Sequence, residues 1–182
     1  RQEVGRLPGE TDLLQRAREA ETASRTLQRE TAGLRDLFMQ APGFMAVLSG
    51  PDHVFTLSNA AYQQVIGHRD IIGKTVAEAL PELAGQGFFE IIDEVYATGV
   101  TYQAQEAPVT YQRTPEEEPA TRYLTFIYAP LLDEHGAVDG IFCEGFDVTA
   151  AHRAHDLAER QRHHLELLVA ELNHRVKNTL AI

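Results

Sequence analysis

The chain has 182 residues, of which 27 are acidic and 16 basic, for a formal charge of −11 with histidine neutral, a size that suits one domain with something added to it. The acid is local: residues 1–36 carry seven basic against seven acidic side chains, residues 37–150 four against sixteen, and residues 151–182 five against four. An acidic middle between near-neutral ends argues against nucleic acid as a direct ligand, the lone Cys143 excludes an internal disulfide framework and a Cys-rich zinc site, and no apolar run approaches a bilayer span.

A reducing, cytoplasmic setting is the expectation from the single cysteine. Arg1 in place of Met suggests a cut or processed chain, so a segment upstream that tethers the protein to a membrane stays open.

In chain order, Leu7-Pro8-Gly9 reads as a breaker, and Thr11 or Asp12 caps a helix that runs to Gln40. Leu13, Ala20, Leu27 and Leu34 recur at intervals of seven, with Ala17, Ser24, Thr31 and Phe38 at the complementary positions. This is a weak heptad seam, compatible with a coiled coil or with a single helix packed on its own domain. Ala41-Pro42-Gly43 ends it.

Phe44 to Leu48 and Val54 to Leu57 read as strands joined by a turn at Ser49-Gly50-Pro51-Asp52. Asn59 to Ile66, Ile72 to Leu83 and Phe88 to Ala97 read as short helices, with Gly99 placed to cap the last. Three longer strands follow, Val100 to Gln112, Arg122 to Leu132 and Val138 to Val148, the last two joined by the loop Asp133-Glu134-His135-Gly136. Glu116, Glu117 and Glu118, between Pro115 and Pro119, suit a solvated loop better than a metal site. Such an antiparallel sheet leaves one face for helices.

From Thr149 the pattern returns to helix without a further proline or glycine, and Ala158, Leu165, Leu172 and Thr179 again recur at seven, with Val169 and Val176 interleaved. On such a helix His174 points away from Leu172 and Val176, and Glu171, Lys177 and Asn178 share its face. An outward imidazole beside a carboxylate reads either as a surface histidine or as a nucleophile with one ring nitrogen oriented and the other free.

The run Glu171-Leu172-Asn173-His174-Arg175-Val176-Lys177-Asn178-Thr179-Leu180 resembles the phosphoacceptor box of sensor histidine kinases of the HWE family. That resemblance implies that His174 takes the γ-phosphoryl of ATP, with Mg2+ in the full-length kinase, and passes it to an aspartate of a response regulator receiver domain. Arg175, Lys177 and Asn178 would supply charge and hydrogen bonds around the phosphoryl group. Arg175 stands where the commonest histidine kinases carry an acid, which leaves the proton acceptor open, with Glu171 one candidate. The chain reaches only eight residues beyond His174, so as a kinase fragment without its ATP-binding domain it is expected to be inactive alone.

Residues 37–150 resemble a PAS domain, on the strand and helix order and on the run from Gln40 to Tyr62. Asp147-Val148-Thr149 matches the triplet that ends many PAS domains and couples the sheet to its exit helix; Asp147 would anchor through backbone bonds or Arg153, and Thr149 would cap the helix. The resulting expectation is an α+β fold: a PAS-like five-stranded antiparallel sheet with short helices, flanked by N-terminal and C-terminal coiled-coil helices. Its divisions are an N-terminal segment 1–10, a helix 11–40, a sensory domain 41–149 and an exit helix 150–182.

Flavin and haem are not expected. The flavin-trapping Asn-Cys-Arg-Phe-Leu-Gln run of light-sensing relatives is missing, Cys143 reads as a buried structural thiol, and Gly87 to Thr98 has no histidine for haem. His53, His68 and His135 read as surface residues of turns, and His152, His155, His163 and His164 as a solvated helix face rather than metal ligands. Tyr62, Phe88, Phe89, Tyr96, Tyr102, Phe126 and Tyr128 suit a core, or a cavity for an unnamed small molecule. Association into a homodimer through the flanking helices is expected. The alternative function is a non-catalytic PAS module for dimerisation or ligand sensing, in which His174 is incidental.

Overall fold

The computed structural model describes residues 8–114 and 116–180, with side chains for 12–114 and 116–176. The chain divides into two compact units at Ala41/Pro42. The first contains helix α1, Pro8–Gln40. It begins earlier than the expected cap at Thr11 or Asp12: Pro8 and Gly9 lie inside the helix, because a proline in the first turn lacks only an N–H that would have had no intrahelical partner. Leu13, Leu27 and Leu34 of its seam are exposed. Residues 1–7 lie outside the described residues.

The second unit is built on a five-stranded antiparallel sheet in the order β2-β1-β5-β4-β3, with β1 Phe44–Ser49, β2 Val54–Ser58, β3 Tyr102–Tyr111, β4 Ala120–Leu132 and β5 Val138–Asp147. Every strand expected from sequence is present, with ends shifted by a few residues. Between β2 and β3 lie α2 Ala60–Ile66, α3 Val76–Ala79, a 3-10 turn Pro81–Leu83 and α4 Phe88–Thr98. The stretch from Ile72 to Leu83 is therefore not the single helix its composition suggested. Gly73 at φ 82° belongs to a turn, Thr75 pairs with Val54 and closes a capping box with Glu78, and Pro81 cannot continue α3.

Alternation along the strands decides which face is covered. Phe44, Ala46 and Leu48 of β1, Leu124, Phe126 and Tyr128 of β4, and Ile141 and Cys143 of β5 are buried. Ile66, Ile71, Val76, Leu80, Leu83, Phe88, Ile92 and Val95, from the helical segments, join them in one core. The central strand β5 needs glycine at Gly145, where a Cβ would overlap the Thr125 carbonyl oxygen, the Phe44 ring and the Phe126 side chain.

Two buried or half-buried polar residues tie the helices to the sheet. Asn59, fully buried, caps α2: its Oδ1 accepts from Tyr62 N and Met45 N, each at 2.9 Å, and its Nδ2 donates to Gly43 O at 2.8 Å. His53, in the β1–β2 turn at φ 53°, bonds through Nε2 to Asp93 Oδ1 of α4 at 2.8 Å and meets the Tyr96 ring edge-on. Its side chain is only 13 % exposed, so it is a clamp between the turn and α4 and not the surface residue its place in a turn suggested.

Replacement of Asn59 by Ala removes one side chain that serves strand β1, the residue before it and helix α2, leaving buried backbone groups without partners. Urea denaturation should register a loss on the order of 3 kcal/mol; a change below about 0.5 kcal/mol would mean that these bonds do not secure α2 to the sheet.

Candidate functional site

The core of the second unit is not filled completely. Between the sheet and helices α2 to α4 lies a cavity of about 50 Å³, lined among others by Phe44, Tyr62, Phe88, Tyr111, Phe126, Tyr128 and Cys143. By volume this holds about four water molecules or a molecule of comparable bulk. Of the aromatics named from sequence, Tyr62, Phe88, Phe126 and Tyr128 line it, Phe89 and Tyr96 pack against the core, and Tyr102 lies at the margin with its ring 6.2 Å from that of Phe126. Phe44, Tyr111 and Cys143 complete the lining; Cys143 is the buried thiol of the last strand that the sequence suggested, whereas Phe44 and Tyr111 stand at strand ends and gave no periodicity by which to find them.

The polar groups on this wall are held neutral. Burial raises the phenols of Tyr62 and Tyr128 well above 10.0, with Cys143 next in effect on both. Burial also pushes the Cys143 thiol up to about 12, helped by Glu144. Tyr111 rises to about 12 through burial, against the pull of Arg122, and its hydroxyl is buried without a hydrogen-bond partner among the described residues. A protonated hydroxyl or thiol donates a hydrogen bond but brings no charge to whatever occupies the cavity.

Strand β5 passes into helix α5, Thr149–Leu180, through Asp147 and Val148. Asp147 anchors the junction through a backbone hydrogen bond, one of the two alternatives the sequence offered, while the roles of Arg153 and Thr149 differ from the expectation. Asp147 does the capping, its Oδ1 accepting from Thr149 N at 2.9 Å, and its Oδ2 stands 3.6 Å from Arg122 Nη1 rather than beside Arg153. Thr149 instead reaches sideways: its buried hydroxyl accepts from Tyr123 N of β4 at 2.9 Å, while Val148 N donates to Tyr123 O. Arg153 donates to Thr121 O.

One turn into α5, His152 stacks on Tyr123 with ring centroids 3.6 Å apart and contacts Glu106 Oε2 through Nδ1 at 2.7 Å and Asp156 Oδ2 through Nε2 at 3.5 Å. It is thus part of the joint and not of a solvated face. Glu106 sits in the bulge of β3 at φ 49°, a left-handed conformation uncommon for glutamate. Neither Glu106 nor Tyr123 was marked by any sequence signal, because each meets His152 across dozens of residues of chain.

Helix α5 continues past His174 without a break. His174 is exposed there, as are Leu165, Val169, Leu172 and Val176. Glu171 accepts from both Nε and Nη2 of Arg175, at 2.9 and 2.6 Å, which engages the carboxylate considered as a proton acceptor for His174. The side chains of Lys177, Asn178 and Thr179 lie outside the described residues. Among the described residues no group of His, Cys, Asp and Glu has the geometry of a metal site, and no helix is long and apolar enough to cross a membrane.

The PAS fold matches residues 38–153, well over half of the chain. The chain belongs to the PAS family. Solved structures agree on the architecture. An RNA-binding light-oxygen-voltage receptor is 18% identical with a TM-score of 0.54, over 74% of this chain and 38% of its own. VqmA bound to DPO is 26% identical with a TM-score of 0.50, over 64% of this chain and 57% of its own; the Vibrio cholerae VqmA dimer gives 26% and 0.52, over 66% and 52%. The PAS domain of Bordetella pertussis BvgS is 22% identical with a TM-score of 0.51, over 72% of this chain and 98% of its own. The chain thus spans 38 to 57% of the length of the first three.

In this PAS domain the raised values of Cys143 and Tyr111 have a sign. Folding favours the neutral forms, so the stability they contribute is fully present below the ordinary values of 9.0 and 10.0 and is lost as pH rises toward 12. Urea denaturation at stepped pH should show stability falling above about pH 9, with Cys143→Ala delaying the onset toward the tyrosine range. Equal onset in both proteins would remove Cys143 from this account.

Proposed function

We propose that this chain is the sensory and relay portion of a cytoplasmic two-component sensor histidine kinase, in which the PAS domain controls phosphorylation of His174 and transfer to a response regulator receiver domain. The observation that carries this reading is the unbroken helix from the central strand to that histidine. Counting 25 residues from Thr149 to His174, α5 reaches about 37 Å as one rod. A displacement at Tyr123 or Glu106 tilts or turns the rod at its root, and paired rods convert this into a change of register or twist.

The sequence around His174 supports the phosphoacceptor role. The imidazole stands on the solvent side, open to an ATP-binding domain that brings ATP and Mg2+, and Arg175 remains beside it with its charge shared with Glu171. The exposed apolar residues of α5, among them Leu165, Val169, Leu172 and Val176, form the surface on which two copies pair. The stimulus in this reading is a small molecule in the interior cavity, in keeping with the likeness to VqmA, which is bound to DPO.

That same likeness, at 26% identity, favours a second reading, a non-catalytic ligand-sensing module with His174 incidental. Joining the 182-residue chain to an ATP-binding domain of an HWE kinase and supplying γ-labelled ATP with Mg2+ separates the two. Acid-labile label should enter the chain and vanish in His174→Gln; undiminished label in that variant would sink the phosphoacceptor role. Light scattering at tens of micromolar should return a dimer, and a monomer would count against relay through paired helices.

A further inference from the structure

The acidic PAS domain brings three of its few cations to bear on one tyrosine. Residues 37–150 contain four basic side chains, Arg69, Lys74, Arg113 and Arg122. Arg122, Arg113 and Arg69 are all close enough to act on the Tyr111 phenol. Arg69 is committed, bonded to Glu82 and to the carbonyls of Ala79 and Gln112. The other two are not.

The ion partner of Arg122 among the described residues is Asp147 Oδ2, at 3.6 Å, longer than a hydrogen bond; its planar group also lies 5.7 Å from the centre of the Tyr111 ring. Arg113 donates to Gln64 O at 2.7 Å and has no carboxylate partner among the described residues. The Nε–H of each is buried without a hydrogen-bond partner among the described residues. Buried donors ordinarily find acceptors, and two guanidinium groups on one cleft, each with a buried Nε–H left over, are an exception that calls for an acceptor from outside the chain.

Both line one cleft of about 310 Å³, outside the interior cavity and at the root of α5. Its other walls include Phe44, Val65 and Phe146, with Asp147 on the rim. The close approach that holds Arg113 here is built into the backbone: Gly67, at φ 81°, ends α2, and a Cβ on it would overlap the Arg113 carbonyl.

We propose that this cleft binds a small organic monocarboxylate with an apolar body, its carboxylate between Arg113 and Arg122 and its body against Phe146. The class follows from charge and surface together. Two guanidinium groups and one carboxylate leave a single positive charge, which matches a monoanion and disfavours a phosphate dianion next to Asp147. The volume lies at the lower end of ligand pockets, and the apolar walls favour a ring or short chain over a bare ion. Bound there, the ligand competes with Asp147 for Arg122, next to the bond by which Asp147 caps α5.

The probes are benzoate and its neutral isostere benzamide, titrated into the 182-residue chain by calorimetry and by NMR of the arginine Nε–H groups. Benzoate at millimolar concentration should bind and shift the Nε–H resonances of Arg113 and Arg122, while benzamide binds at least about tenfold more weakly. Arg113→Gln should weaken benzoate by about tenfold or more, and Ala61→Glu, a helix-compatible change on the cleft wall, should abolish binding through repulsion. Equal binding of the two probes, or affinity unchanged in both variants, overturns the proposal. So does a response confined to amides around Cys143 and Tyr128 with both Nε–H signals still, an outcome that assigns benzoate to the interior cavity and leaves the sensory reading of that cavity standing.

Discussion

The hydrogen bond from Tyr123 N to the Thr149 hydroxyl is the contact on which the rest of this domain depends. Strand β5 lies in the middle of the sheet, paired with β1 on one side and β4 on the other. Its chain leaves the sheet directly as a helix, with only Val148 between the last strand residue and the first helical one. A helix that begins there must satisfy its first donors and keep its root in register with β4. Asp147 meets the first need and Thr149 the second, so cap and anchor are separate side chains two residues apart. The helix therefore inherits the position of the sheet and not that of a flexible loop.

Around that root the domain spends its unusual chemistry. Glu106 adopts a left-handed backbone conformation in the β3 bulge and meets His152, whose ring rests on Tyr123. Strain of this kind persists where neighbours over-determine it. On the other side, Arg122 faces Asp147 across a distance too long for a firm bond. The joint is thus tight toward β3 and β4 and loose toward the cleft, which lets occupancy of the cleft bear on the helix cap without unfolding the sheet.

The interior cavity and the outer cleft share the residues Phe44 and Val65 as a common wall, and Tyr111 lines the one while Arg122 lies over its ring and lines the other. Their characters are opposite: the cavity is apolar with neutral hydroxyls and a neutral thiol, the cleft cationic with apolar sides. Burial produces the first character by raising every titratable group within it. Charge separation produces the second, since the domain holds sixteen acids but pairs Arg113 with none among the described residues.

Element order, the antiparallel sheet and the long exit helix were legible in the amino-acid string, because alternation of apolar residues, glycine caps and the lack of breakers after Thr149 are local properties of the chain. The sequence also displayed the run around His174 as a contiguous string. It misread Pro8 and the stretch from Ile72 to Leu83, where tolerance of proline at a helix start and a capping box within an apolar run override simple periodicity. The pairings came from packing: His53 with Asp93, Asp147 with Arg122 in place of Arg153, His152 with Glu106, and the cleft that Arg113 and Arg122 both line. Each joins residues from separate elements, and which side chains meet across a sheet and its helices is set by register and packing, which no local pattern encodes.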